Sequence, residues 1–286
     1  MDRLTLSGGA LRCEIAPALG GAIAGLWFDR IAVLRPPPEA GLATVREAGS
    51  YPLLPFSNRI GGARMVWQGT RYALSPNFAP EPHALHGVGW QRPWRVAQLR
   101  SDEARLLLQH EGDGGWPFAF EATQTLRLDA SGLDLDLVLT NRAGRAAPAG
   151  IGWHPYFAKR AGSRIHFAAA GRWEMGRDKL PTHRLPLDGL QASCATLDVD
   201  HCFDGWGGTV LLADDLLRTT LTSDLDHLVV FTQPARDFVA IEPVSHVNNA
   251  LHLSEELGVD VRALGVRVLQ PGQSVAAHMR IAVQPV

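Results

Sequence analysis

Lysine is almost missing from this chain: Lys159 and Lys179 are the only lysines among its 27 basic residues. The arginines that replace them are scattered, which reads as a compositional bias of the genome rather than a nucleic-acid-binding tract. Nor is there an excess of either charge. The 27 basic residues nearly cancel 29 acidic ones, for a formal charge of -2, so no electrostatic footprint for nucleic acid or anionic lipid exists and a small neutral partner is expected. Cysteine is scarce and odd in number. Cys13, Cys194 and Cys202 show neither CxxC nor zinc-ribbon spacing, so neither a disulfide framework nor a structural metal is implied, and reduced thiols fit a cytoplasm. No run approaches the roughly 18 apolar residues of a membrane span, and the start, Met1 to Leu6, has no apolar core of signal-peptide length. Export and membrane insertion are both disfavoured, and a cytoplasmic location is expected. Also missing are a Gly-x-Ser-x-Gly elbow, a phosphate-binding P-loop and a dinucleotide fingerprint after a strand, which weakens the matching chemistries.

What the chain does contain is short alternating segments. Its 286 residues, 46% hydrophobic and 20% charged, suffice for a sizeable core. The cleanest alternation is Leu133 to Leu139, leucines and a valine interleaved with Asp134 and Asp136, entered through Ser131-Gly132. That period of two predicts a half-buried strand. Arg64 to Gln68 and Arg71 to Leu74 flank Gly69-Thr70 and predict a hairpin. Further strands are expected at Leu11 to Ile15, Ala22 to Phe28, Trp94 to Leu99, Arg105 to His110, Phe118 to Leu128, Val210 to Ala213, Leu228 to Thr232, Phe238 to Glu242, Val266 to Leu269 and Val275 to Val283. Helical periodicity is poor; one turn at Ser254 to Leu257, capped by Ser254 and closed by Gly258, is the only candidate. Many strands punctuated by 29 glycines and 19 prolines, without alternating helices, predict an all-β fold, a large antiparallel sandwich or barrel. The proline-rich stretches Arg35 to Ala40 and Ser75 to His83 separate no halves of different composition, and no internal repeat is present, so residues 1–286 read as one domain.

Five places could carry chemistry. Asn58 and Arg59 interrupt an apolar, glycine-rich approach to the hairpin; the arginine offers five fixed donors, although an isolated arginine is as a rule exposed. His86 stands beside Gly87 and Gly89, whose missing side chains allow a ligand or backbone to approach closely. His83 and His86 form a His-x-x-His pair, but zinc takes three or four protein ligands and no further cluster follows, so no metal is expected. His154 sits among Trp153, Tyr156 and Phe157 with Pro155 holding it extended, and histidine exchanges protons near pH 7. Its alternative is a core histidine bonded to a carbonyl. Glu242 ends the apolar run Phe238 to Ile241; a desolvated carboxylate there becomes a stronger base, whereas one that emerges at the strand's end is merely solvated. Asp200 and Asp204 bracket His201, and one of the two could hold a hydroxyl.

Taken in order, Asn58-Arg59-Ile60, Leu85-His86-Gly87, His154-Pro155-Tyr156-Phe157, Asp200-His201 and Glu242-Pro243 resemble the motifs of the aldose 1-epimerase (galactose mutarotase) family. The resemblance implies that family's large antiparallel β-sandwich, with a monosaccharide in a cleft and no cofactor or metal. It assigns Glu242 as general base on the anomeric hydroxyl and His154 as the acid that protonates the ring oxygen, with Arg59, His86, Asp200 and, more weakly, Asn58 binding sugar oxygens. The continuation Val244 to Asn249 and the opening Pro17 to Gly21 depart from the galactose mutarotases and resemble a divergent bacterial branch, which weighs against galactose. His246, close after the glutamate, reads as a surface-loop histidine. Two rivals remain: a hexose-6-phosphate 1-epimerase, for which Arg64, Arg71 and Arg92 could meet the phosphate, and a carbohydrate-binding or sensing protein without catalysis. Oligomeric state is beyond the sequence.

Overall fold

The computed structural model describes residues 3–286; Met1 and Asp2, which open the segment read for a signal core, lie outside the described residues. Two large sheets dominate, and every strand ladder within them is antiparallel. The first has nine strands, in the order Arg95–Leu99, Glu103–His110, Phe120–Leu128, Gly132–Asn141, Ser274–Pro285, Leu217–Ser223, Thr209–Ala213, Arg164–Phe167 and Leu190–Ser193. The second has eight, among them Gly171–Met175, Val199–Asp204, His227–Thr232, Phe238–Val244 and Gly152–Trp153, with Tyr156–Ala158 also pairing Phe238–Val244. Leu4–Gly8, Leu11–Ala16, Ala22–Phe28 and Ile31–Ala32 make a smaller sheet. This is the antiparallel β-sandwich expected.

The sheets bury opposite faces against each other because their alternation demands it. In Gly132–Asn141, Leu133, Leu135, Leu137 and Leu139 point inward while Asp134 and Asp136 face out. Phe167 of the nine-stranded sheet meets Phe203 of the eight-stranded sheet edge to face at 4.9 Å, and the Trp153 indole N–H donates to Gln124 Oε1 at 3.1 Å across the same interior. Phe238–Val244 behaves differently: all seven residues are buried. The interior covers one of its faces and loops cover the other, so no alternation survives and its polar residue is enclosed.

Several details differ from the sequence reading. The helix runs Ala250–Leu257, two turns, with Asn249 at its N-cap; Ser254 is inside it, its hydroxyl bonded back to Leu251 O, while Gly258 does close it with φ 64°. The hairpin turn is Gln68-Gly69, both at positive φ, with Trp67 paired to Thr70, because a two-residue type I′ turn needs left-handed backbone at both central positions. Leu4–Gly8, Arg164–Phe167, Gly171–Met175 and Leu217–Ser223 are strands that periodicity did not flag. In the last, Thr219 occupies an inward position between Leu217 and Leu221, so the buried stripe includes a polar residue type. No described helix is long and apolar enough to cross a membrane.

Candidate active site

Strand register brings the two proposed proton carriers together. Gly152 pairs with Val244 and Tyr156 with Ala240, so His154, midway along one chain, lies opposite Glu242, midway along the other. Their side chains meet: His154 Nε2 is 3.0 Å from Glu242 Oε1. Pro155 does not break this arrangement, because it lacks an N–H to pair and its carbonyl accepts from Ile241 N. The next strands extend the same face. Glu242 pairs with Val229, and Phe231 is paired with both Ala240 and Asp200, which sets Asp200 on the cleft side two strands away. Glu242 therefore does not emerge at a strand end; it is 2% exposed on the floor of an open cleft of about 270 Å³.

Loops supply the walls. Arg59 and Leu85 pair across a short ladder, and Asn58 and His86, both at positive φ, lock it: His86 N donates to Asn58 O at 2.7 Å and Asn58 N donates to His86 Nδ1 at 3.0 Å. With Nδ1 accepting, His86 carries its proton on Nε2 as a donor. Gly87 and Gly89 give their space to protein rather than ligand; a Cβ on Gly87 would sit 2.1 Å from Leu54 O. Arg59 is buried, not the exposed arginine of the isolated reading, and its Nε and Nη2 hold Glu81 at 2.7 and 2.9 Å. Lys179 closes on the same carboxylate at 2.9 Å. Aromatic rings support His154: Tyr156 stacks on it at 4.3 Å, Tyr51 lies 4.9 Å away, and the two tyrosine hydroxyls hydrogen-bond at 3.1 Å.

Burial governs the electrostatics. It raises Glu242 well above the ordinary carboxylate range, with Asp200 adding to the effect and Arg59 opposing it. It also lowers His154 well below the usual imidazole value and holds His86 at about 3, helped in the latter by the charges of Arg59 and Arg46. Asp200 is raised by burial against the pull of Arg59. Glu81 is held down at about 2, chiefly by its hydrogen bond to Arg59. Glu242 Oε2 and His154 Nδ1 have no hydrogen-bond partner despite burial.

The cleft thus gathers Asn58, Arg59, His86, His154, Asp200 and Glu242, the six residues to which the resemblance gave roles. The match with residues 2–282 is to the family model described as aldose 1-epimerase. The chain belongs to the aldose 1-epimerase family. YphB of Escherichia coli K12 is 33% identical, with 99% of each chain covered. The solved structure of an E. coli K12 protein assigned to the aldose 1-epimerases superposes with a TM-score of 0.89 at 28% identity, covering 100% of this chain and 99% of that one. A galactose mutarotase-like protein from Clostridium acetobutylicum shares the fold, with a TM-score of 0.86 at 17% identity over 99% and 95% of the two chains.

Other expectations need correcting. His246 is buried, 4% exposed, yet outside the cleft: its Nε2 accepts from Ser57 N and its Nδ1 donates to Val247 O, so it braces the loop carrying Asn58. Asp204 faces away, held by Arg184 and by the indole of Trp173. Arg64 and Arg71 line a separate surface depression and Arg92 pairs with Asp113, so none of the three meets the cleft. His83 accepts from Gly62 N and faces Asp178 O, which separates it from His86, and no metal-holding group of His, Cys, Asp and Glu occurs among the described residues. The cleft residues missed in the sequence are Tyr51, Glu81, Lys179, Arg35, Arg46 and Arg236. Most sit in loops without periodicity; the only available signal was the proline-rich character of the segments around Arg35 and Glu81.

Proposed function

We propose that this member of the aldose 1-epimerase family interconverts the α and β anomers of an aldose, with Glu242 as base and His154 as acid. The observation that carries the reading is the enclosed contact of a carboxylate and an imidazole at 3.0 Å on a cleft floor. Glu242 takes the proton from the anomeric hydroxyl, His154 gives one to the ring oxygen, and the bond from C1 to that oxygen breaks. Rotation about C1–C2 in the open aldehyde presents its other face; on reclosure Glu242 returns its proton to O1 while His154 recovers a proton from the hydroxyl that becomes the ring oxygen again. The opposite shifts of the two groups suit a pair that shares one proton, since neither favours its charged form in a desolvated site. Arg59, His86, Asp200 and Asn58 orient the ring oxygens. His86, neutral with Nε2 protonated, is a fixed donor; Arg59 is oriented by its fork onto Glu81. Positioned proton transfer of this kind supplies factors of about 10² to 10⁴, which a reaction that already proceeds in water needs. The continuous core through both large sheets supports residues 1–286 working as one domain.

The test is NMR exchange between anomers for a panel of aldoses. Acceleration by the wild-type protein, lost in folded Glu242→Gln and His154→Asn, is expected. Sugar binding without any acceleration would sink this reading in favour of a sensing protein.

A further inference from the structure

The cations of the cleft fall into two sets. Arg59 and Lys179 both spend their charge on Glu81. Arg35, Arg46 and Arg236, which line the same cleft, form no ion pair with any described carboxylate. Glu47 and Asp237 lie in Coulomb range of Arg35 but not in contact with it. Arg35 is fixed in place: its Nη2 donates to the carbonyls of Arg46 and Ala48, and its guanidinium lies 4.0 Å over the Tyr156 ring, the ring stacked on His154. Its Nε is buried and has no partner. Arg46 and Arg236 each lie over an aromatic ring, Phe78 at 4.1 Å and Phe238 at 5.9 Å. Arg46's charge bears on Tyr51, His86 and His154, the middle of the cleft, and also on Arg35, where like charge adds to the cost of burial.

A neutral sugar does not account for this. On the Arg59 side the positive charge is already balanced by Glu81, whereas Arg35 and Arg46 repel each other with no acid between them and Arg236 shares the Phe238 ring with Arg35, an arrangement that an anion relieves. The concentration is local, because the whole chain is net negative. We infer that Arg35, Arg46 and Arg236 form an anion subsite, and that the sugar turned over here carries a negatively charged substituent, phosphate or carboxylate, at the end of the ring remote from C1. This rests on the proposed anomerisation at Glu242 and His154 and specifies its substrate class. The three arginines differ from those the sequence nominated for a phosphate: fold, not spacing, assembles them.

The experiment compares glucose, glucose 6-phosphate and glucuronate in anomer exchange by NMR and in binding by calorimetry, for wild type and Arg46→Gln/Arg236→Gln. Wild type is expected to favour at least one anionic sugar over glucose by about 10- to 100-fold in kcat/KM, the range of one or two charge-assisted hydrogen bonds, and the variant to bring that ratio close to one. Preference for phosphate over carboxylate, or the reverse, identifies the substituent. A wild-type ratio at or below one for both anions, or a variant that slows glucose and the anionic sugars by the same factor, overturns the subsite while leaving anomerisation intact. If no sugar exchanges faster than in buffer, anomerisation fails, and calorimetry still decides the subsite: glucose 6-phosphate and glucuronate binding no tighter than glucose overturns it.

Discussion

The outer face of the nine-stranded sheet and the cleft face of the eight-stranded sheet are both rich in charge, and they treat it in opposite ways. On the first, Arg127 bonds Glu103 at 2.8 Å and Asp136 at 2.6 Å, His278 bonds Asp136 at 2.9 Å, and Arg280 reaches Asp129 and Asp134. Each of these charges has a partner and a share of solvent, so the network costs little and contributes little. On the second, Glu242 Oε2, His154 Nδ1 and Arg35 Nε are buried without partners. A buried polar atom left unpaired costs about 1–3 kcal/mol, so a fold that keeps three of them around one cleft sacrifices stability for groups a ligand can use. The cleft also holds paired charge, Arg59 and Lys179 on Glu81, but only there, among the described residues of the two faces, are buried charged groups left with an atom unpaired.

The largest effect that sharpens this contrast is on Glu242→Gln. Anomer exchange should fall by about 10² to 10⁴, while thermal stability rises. The sign follows from linkage: the folded-state pKa of Glu242 lies above its ordinary 4.5, so wild-type stability is lost as pH rises from about 4.5 toward that raised value. Glutamine cannot ionise, and the Tm advantage of the variant should widen over that interval. A variant less stable than wild type at neutral pH would mean that the carboxylate is structurally supported and that the contrast is wrong.

Next comes Glu81→Gln, which releases Arg59 from its fork. KM for the accelerated sugar should rise about tenfold, with kcat falling less, because positioning rather than proton transfer is affected. Glu81 is held at about 2, so it contributes stability above its ordinary 4.5 that is lost as pH falls from 4.5 toward 2; acid titration followed by fluorescence should show that loss in wild type and not in the variant. An equal fall in kcat and kcat/KM would instead put Glu81 in the chemical step.

The smallest effect belongs to the outer sheet. Arg127→Gln, at a side chain 51% exposed, should cost under about 1 kcal/mol in urea unfolding, less in high salt, and leave anomer exchange as in wild type. A change in exchange rate comparable to that of Glu81→Gln would break the contrast from the other side.

Asn58, Arg59, His86, His154, Asp200 and Glu242 could be nominated from the sequence because each stood out locally: an acid in an apolar strand, a histidine among aromatics, another beside glycines, an aspartate next to a histidine, an arginine and asparagine among glycines. Glu81, Arg46 and Arg236 stood out in no such way. Glu81 and Arg236 lie in loops and Arg46 in the single 3-10 turn Val45–Glu47, where neither period two nor period 3.6 constrains a side chain, and their importance comes from what faces them. The same reason accounts for His246, read as exposed because it follows a strand, yet enclosed by the loop of Ser57.

The sequence by itself determined an antiparallel all-β fold, since alternation decides which face of a strand is buried wherever one face meets water, and through its motifs it nominated six residues that line the cleft. Only the tertiary structure decided which charges meet. Register set His154 against Glu242, loop packing bound Arg59 and Lys179 to Glu81, and the assembly of distant loops left Arg35, Arg46 and Arg236 without acids. Pairing between side chains far apart in sequence depends on distances of a few ångströms, and no local pattern in a chain encodes those.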